Sequence, residues 1–278
     1  MLFRSGGAIF NPSNDSKKSV VVIWIHGWGV NFYSPTYVKI ARSLSEKGYS
    51  CITANTRMHD IGFNIGETKT MRIRGGGYWG KPSEQLMDID AWIDFAKSYG
   101  FKNIILVGHS AGWAAVRDYQ AIKQNPRIVG FVCASGSVRP GTVKPDSILL
   151  AKAKELVCAG HGDDLIRLPS RHFPSFISAA TFLDDSSTPS ELNDFFGVNI
   201  SNPGIKRINC PLLAFYGTRN DVGTEEDLEL IKSGIRHYQN KINLTTVMIK
   251  NADHMYSGEE DQVAQTINNW IDNLEFPN

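Results

Sequence analysis

The sequence predicts an α/β fold: a mostly parallel sheet flanked by helices, interrupted by one inserted segment. Three observations carry that reading. From residue 19 onward, short β-rich runs alternate with segments whose apolar residues recur at helical spacing, the pattern of parallel strands joined by crossover helices. Reactive side chains stand just after those strands, where an open parallel sheet binds ligands. With 278 residues, 42% of them hydrophobic, the chain is long enough to bury a substantial core.

The elements follow in order. Residues 19–25, SVVVIWI, form the first strand. Residues 35–47 place Val38, Ala41 and Leu44 at helical spacing and stop at Gly48, a residue suited to a helix C-terminus. The strand YSCITA follows, and then a helix from Ser83, a good N-cap, with Leu86, Ile89 and Ile93 on one face. NIILVG is the next strand, residues 111–124 the next helix, and IVGFVCA the strand after it. Residues 138–208 break the alternation with six prolines in mixed polar and aromatic surroundings and one helix over 147–158, so they read as an insertion rather than as sheet. PLLAFYG, a helix from Thr224, LTTVMIK and a last helix carrying Val263, Ile267, Trp270 and Ile271 resume the pattern. The expected organisation is a core of residues 1–137 and 209–278 with a cap at 138–208.

Composition excludes several classes of function. A formal net charge of +1 gives no electrostatic reason to expect nucleic acid or a membrane surface as partner. No apolar run is long enough to span a bilayer, and the first residues lack the order of a signal peptide, so a cytoplasmic enzyme is expected. The four cysteines form no C-x-x-C pair and the seven histidines no H-x-x-x-H pair, which argues against metal and dithiol chemistry. Cys51 and Cys133 read as buried thiols.

The strand ends then supply a specific chemistry. VVVIWI leads into His26-Gly27-Trp28-Gly29, NIILVG into Ser110, LLAFYG into Asp221, and TTVMIK into Asp253-His254. A serine hydroxyl is a poor nucleophile until an imidazole takes its proton. His254 is the candidate base, and Asp221 the acid that would hold its tautomer and stabilise the imidazolium. Gly108 and Gly112, flanking Ser110 in Gly-x-Ser-x-Gly, allow a sharp strand-to-helix turn.

With these motifs in place, the chain resembles the α/β-hydrolases over roughly residues 19 to 275, including the order Ser, Asp, His. The resemblance implies an oxyanion hole built from the backbone N–H of Ala111 and of Trp28, and no cofactor or metal. A narrower resemblance, through HGWGVNFYSPTYVKIARSLSEKGY, ANTRMHDIG and GHGDDLI, is to bacterial hydrolases similar to fungal siderophore ester hydrolases. It implies a small-molecule carboxylic ester or lactone as substrate, cleaved through an acyl-enzyme on Ser110.

Other readings stand beside these. Asp253, Asp184 and Asp185 compete with Asp221 for the role of acid, although adjacent side chains on an extended segment point apart, which disfavours Asp253. His237 falls on a helix, and His26 and His109 read as loop-orienting residues bonded to backbone. RIRGGGYWG, residues 72–80, lacks the context of a phosphate cradle and reads as a flexible loop at the pocket mouth, with Tyr78 and Trp79 lining that mouth. Arg57, Lys69, Arg72, Arg74 and Lys81 either steer an acidic substrate group or form a solvated face. Phe173, Phe176, Phe182, Phe195 and Phe196 either cover an apolar pocket, with Phe173 and Phe176 lining it, or form the insertion's own core. The same serine, acid and histidine also serve acyl transfer or lyase chemistry, or a non-enzymatic small-molecule receptor. Oligomeric state is not encoded in any of these patterns.

Overall fold

The computed structural model describes residues 6–13, 19–67, 72–140, 146–169, 174–219, 221–239 and 241–276. In chain order the first half contains β1 (Gly7–Phe10), β2 (Val20–Ile25), α1 (Pro35–Glu46), β3 (Ser50–Ala54), β4 (Phe63–Glu67) and β5 (Arg72–Gly75). Then come α2 (Gln85–Ser98), β6 (Asn103–His109), α3 (Gly112–Lys123) and β7 (Ile128–Ala134). The insertion holds α4 (Ser147–Cys158), β8 (Leu165–Arg167), β9 (Phe176–Ser178), α5 (Ala179–Ser186) and α6 (Ser190–Asn193). The chain closes with β10 (Leu212–Gly217), α7 (Glu225–Tyr238), β11 (Leu244–Ile249) and α8 (Glu260–Asp272).

Seven strands form one sheet in the order β1-β3-β2-β6-β7-β10-β11. Every pairing is parallel except β1 with β3. Strands β2, β6 and β7 are nearly continuous apolar runs because helices cover both faces. Ile23, Leu106 and Tyr216 pack on one face with Ile89 of α2, Val116 of α3 and Ile231 of α7. Trp24, Val107 and Phe215 pack on the other with Ile40 of α1 and Ile267 of α8. The sheet grows outward in one direction from β2 to β3 and in the other from β6 to β11, so its strand order reverses between β2 and β6. Ligand crevices open at such a reversal, beyond the carboxyl ends of the two strands. Those ends carry His26 and Ser110.

Local signals explain the helix limits. Pro35 starts α1, and Gly48 ends it at φ 94, with Tyr49 N–H reaching back to the Leu44 carbonyl at 3.1 Å. Thr224 and Asp227 form a reciprocal capping box on α7. Ser83 behaves differently from the N-cap it resembles. It lies in a 3-10 turn, Pro82–Glu84, and its N–H and hydroxyl both donate to Asp184 of the insertion, at 2.9 and 2.6 Å. Residues 72–80 are likewise no plain loop, because β5 pairs antiparallel with β4.

The insertion contains a two-stranded sheet, β8 with β9, which the proline-rich sequence conceals. It packs in two parts. Ala153, Ile166, Ile177, Ala179 and Phe182 form a small core of their own. Phe195 and Phe196 instead join the main core, where they contact the Trp113 ring. Among the described residues, the separately packed part is therefore confined to 146–169 and 174–187. No helix among the described residues is long and apolar enough to cross a membrane.

Candidate active site

Ser110 occupies the turn from β6 into α3 at φ 53, a left-handed conformation that side-chain-bearing residues rarely adopt. The turn is held from both sides. Ser110 N–H donates to the Ala134 carbonyl at 2.9 Å, and Trp113 N–H to the Ser110 carbonyl at 3.1 Å. A side chain at Gly108 would collide with the Gly112 carbonyl at 2.5 Å, and one at Gly112 with the carbonyls of Ile25 and His26. Only glycine lets β2, β6 and α3 approach this closely.

The strand ends bring three of the expected residues into line. His254 Nε2 lies 3.0 Å from Ser110 Oγ, and His254 Nδ1 lies 3.0 Å from Asp221 Oδ1. Asp221 has a fully buried side chain. It accepts hydrogen bonds from the Ser135 hydroxyl at 2.7 Å, from Val222 N–H at 2.6 Å and from Gly217 N–H. Burial on its own raises the Asp221 pKa, but His254, Ser135 and the two backbone donors outweigh it and hold the carboxyl below its ordinary value. Asp253 is engaged elsewhere: its carboxylate accepts from Met255 N–H and Ser257 N–H, both at 3.0 Å. His237 is exposed on α7.

Two hydrogen-bond relays support this line, and neither leaves a local pattern in the sequence. In the first, Tyr256 donates to Ser135 Oγ at 2.6 Å, and Ser135 donates on to Asp221. Ser135 and Tyr256 are both buried at positive φ, 49 and 61. The position of Ser135 just after β7 is the one signal that a strand-end search would have found. In the second relay, burial pushes the His109 imidazole down to about 3, so the ring is neutral and has one N–H. His109 Nε2 faces the His254 carbonyl at 2.8 Å and must carry that proton. Nδ1 is then free to accept from the Tyr37 hydroxyl at 2.7 Å, and Tyr37 in turn accepts from Gly27 N–H at 3.1 Å. One imidazole thus joins the Gly27 loop, the serine turn and the histidine loop.

His26 is a second neutral ring, pushed down to about 4 chiefly by burial. Its Nε2 accepts from Thr56 N–H at 3.1 Å, so the proton sits on Nδ1 and is donated to the Gly27 carbonyl at 2.7 Å. Both rings return to an ordinary pKa near 6.5 on unfolding. Between about pH 4 and that value the unfolded chain therefore binds more protons, and stability falls as the pH falls. A urea midpoint followed from about pH 7 to about pH 4.5 should drop steadily; a flat profile would contradict the burial of these rings.

A cavity of about 590 Å³ opens above Ser110 and His254. Trp28 and Ala111 both line it, as do Met58, Leu168, Ile177 and Met255. Ala111 stands at the start of α3, among the first helical N–H groups, which lack an intrahelical acceptor. Of the two residues expected at the mouth, Tyr78 sets its ring against that of Trp28, which lines the cavity, with centroids 5.6 Å apart. The wall there is Gly77, while the Tyr78 carbonyl accepts from Ser178 N–H at 2.8 Å and Trp79 Nε1 donates to the Asp163 carbonyl at 2.9 Å. These two residues fasten the insertion to the body. Phe176 is also off the wall: it is 41% exposed, and its neighbour Ile177 lines the cavity instead. Phe173 lies outside the described residues, as does Lys69.

Arg57, Arg74 and Lys81 do not line the cavity. Arg57 is engaged by Asp88, at 2.9 Å, and by Glu84, and Arg74 lies over the Trp79 ring. Among the described residues, no group of three or more His, Cys, Asp or Glu is placed to hold a metal ion.

Comparison with known proteins agrees with this architecture. The chain is 29% identical over 115 residues to "Phospholipase YtpA" of Bacillus subtilis (strain 168). That match spans 41% of this chain and 39% of the relative's length. Among solved structures, a highly thermostable carboxyl esterase from Bacillus coagulans superposes with a TM-score of 0.67 at 14% identity, covering 96% of this chain and 93% of that one. Est1E from Butyrivibrio proteoclasticus, in complex with ferulic acid, gives a TM-score of 0.63 at 18% identity over 96% and 94% of the two chains. A monoacylglycerol lipase from Paleococcus ferrophilus gives 0.63 at 18% over 97% and 98%. At such identities these structures establish a common fold alone. Residues 22–266 match the alpha/beta hydrolase family, and with the sheet order and the serine turn described above, the chain belongs to that family.

Proposed function

We propose that the protein is a serine esterase that cleaves a carboxylic ester or lactone of a small molecule. The observation that carries this reading is the continuous hydrogen-bonded line Asp221–His254–Ser110 at the floor of a cavity. Ser110 Oγ attacks the carbonyl carbon as His254 Nε2 takes its proton, and Asp221 stabilises the imidazolium. The backbone N–H groups of Trp28 and Ala111 receive the negative charge that develops on the carbonyl oxygen. Collapse expels the alcohol, protonated by His254, and leaves an acyl group on Ser110. Water, activated by the same imidazole, then releases the acid. This sequence needs no cofactor. The relatives named esterase and lipase support an ester as the bond, and the mostly apolar wall suits a hydrocarbon portion of the substrate. Residues 146–187 serve as the cap, contributing Leu168, Ile177 and Thr181 to the wall. Free cysteines at 51, 133, 158 and 210 suit the reducing cytoplasm.

Fluorophosphonate labelling tests this reading. A single adduct on Ser110, located by peptide mass spectrometry and suppressed by esters or lactones in preference to amides and thioesters, is the expected result. Absence of the adduct refutes the nucleophile; indifference to every ester refutes the substrate class.

A further inference from the structure

The cavity wall includes the apolar side chains of Met58, Leu168, Ile177 and Met255, and Gln85 interrupts them. Gln85 is the first residue of α2 and only 7% exposed, so its amide is a buried polar group that needs partners at both ends. One end has a partner: the Thr56 hydroxyl lies 2.8 Å from Gln85 Oε1. Proton counting fixes which end of the amide this is. The neutral His26 ring offers one lone pair, at Nε2, and Thr56 N–H takes it at 3.1 Å. Met58 N–H donates to the Thr56 hydroxyl oxygen at 3.3 Å, so the hydroxyl's own proton is left for Gln85. The atom that receives it is the carbonyl oxygen, and the N–H₂ occupies the other corner of the amide. No described residue accepts from that N–H₂. Trp113 Nε1, in the same wall, is also unbonded, but it is sealed from open space and so out of a ligand's reach. Gln85 Nε2 is not sealed in this way, and the open space that Gln85 borders is the cavity. A buried donor pair that faces an apolar cavity weakens the fold that carries it. Local rules break in this way where a site needs the group.

We propose that Gln85 is a specificity-determining residue whose side-chain N–H₂ binds an acceptor oxygen, an ether, hydroxyl or second carbonyl, that the substrate carries away from the scissile ester group. That oxygen completes the hydrogen bonding of the amide, while Met58, Leu168 and Ile177 take the hydrocarbon beside it. The inference rests on the esterase reading only for the bond that is cleaved.

The test uses alkyl esters of one length in which an ether oxygen replaces a single methylene, at successive positions of the acyl chain in one series and of the alcohol chain in another. An ether accepts and cannot donate, so it reports on protein donors alone. Each kcat/KM is divided by that of the all-methylene parent, in the wild type and in Gln85→Met. The variant removes the N–H₂ at nearly constant length, and the Thr56 hydroxyl can then turn to His26 Nε2, 3.2 Å away. At one position the wild-type ratio should exceed that of Gln85→Met by about threefold to tenfold, the worth of one neutral hydrogen bond. Ratios that agree between the two proteins at every position overturn the proposal. The same chains are also offered as amides to Ser110→Ala, with the Gln85 side-chain N–H₂ protons followed by NMR; this arm does not depend on the folding of Gln85→Met. A downfield shift produced by one ether amide and not by the methylene parent is expected. That shift without turnover of any ester by the wild type upholds the role of Gln85 and refutes the esterase. Turnover with no such shift does the reverse.

Discussion

Replacement of Ser110 by alanine should abolish hydrolysis of an activated short-chain ester, with kcat falling by about 10⁶-fold, while the fold persists. The size of the effect follows from what is lost. His254 Nε2 has one acceptor of its aid at this floor, the hydroxyl 3.0 Å away, and no other described hydroxyl is hydrogen-bonded to that nitrogen. The fold persists because Ser110 is held by its backbone, through Ala134 and Trp113, and alanine preserves both bonds. Alanine at φ 53 inherits the same backbone strain as serine, so the thermal midpoint should shift little. Stopped activity together with an unchanged circular dichroism spectrum and melting curve is the expected pair of measurements. Undiminished turnover would remove Ser110 from the mechanism.

Asp221→Asn should be almost as damaging, lowering kcat by about 10⁴-fold with little change in KM. All four groups that meet the carboxylate are donors: the His254 ring, the Ser135 hydroxyl and the N–H groups of Gly217 and Val222. An amide must turn its own N–H₂ toward one of them. If it faces the imidazole, Nδ1 becomes the acceptor and the proton moves to Nε2, which can no longer take one from Ser110. If it faces Ser135, that hydroxyl must reverse and break its donation. Steady-state kinetics separates these effects from altered binding. A loss smaller than about tenfold would mean that another group orients His254.

The main sheet was legible because each strand is a short, strongly apolar run and each crossover helix has its own period and caps. Ser110, Asp221 and His254 were legible for a topological reason: parallel strands deliver their carboxyl ends to one edge, so residues remote in sequence are sorted together by position alone. Strand β1 escaped because it is only four residues long and none of them is fully buried. The β4–β5 pair escaped because Gly75, Gly76 and Gly77 read as a flexible loop, whereas glycine is needed there for close approach; a side chain at Gly77 would meet the Trp28 ring at 2.7 Å. The supporting relays were invisible for another reason. Tyr37 meets His109 across 72 positions and Tyr256 meets Ser135 across 121, and a single hydroxyl reaching that far has no neighbours in the chain to announce it. Ser83 shows the same limit in reverse, since a residue with the chemistry of a cap was taken by a tertiary partner.

The separate packing of residues 146–169 and 174–187 divides the labour of the cavity. Its floor, with Ser110 and His254, is set in the two cores that make the sheet cohere, where almost any change in volume is felt throughout the protein. Its roof rests on a core of five buried residues that shares no member with either of the larger cores. Under the cap role proposed above, substitutions at Leu168 or Ile177 are expected to change the cavity wall while leaving the two cores that flank the sheet unchanged. The region is fastened to the body by the Tyr78 and Asp163 carbonyls, by the Asp184 carboxylate and by the hydroxyl of Thr181, a side chain of the cavity wall that donates to the Tyr78 carbonyl at 3.2 Å, so the wall and its fastening share a residue.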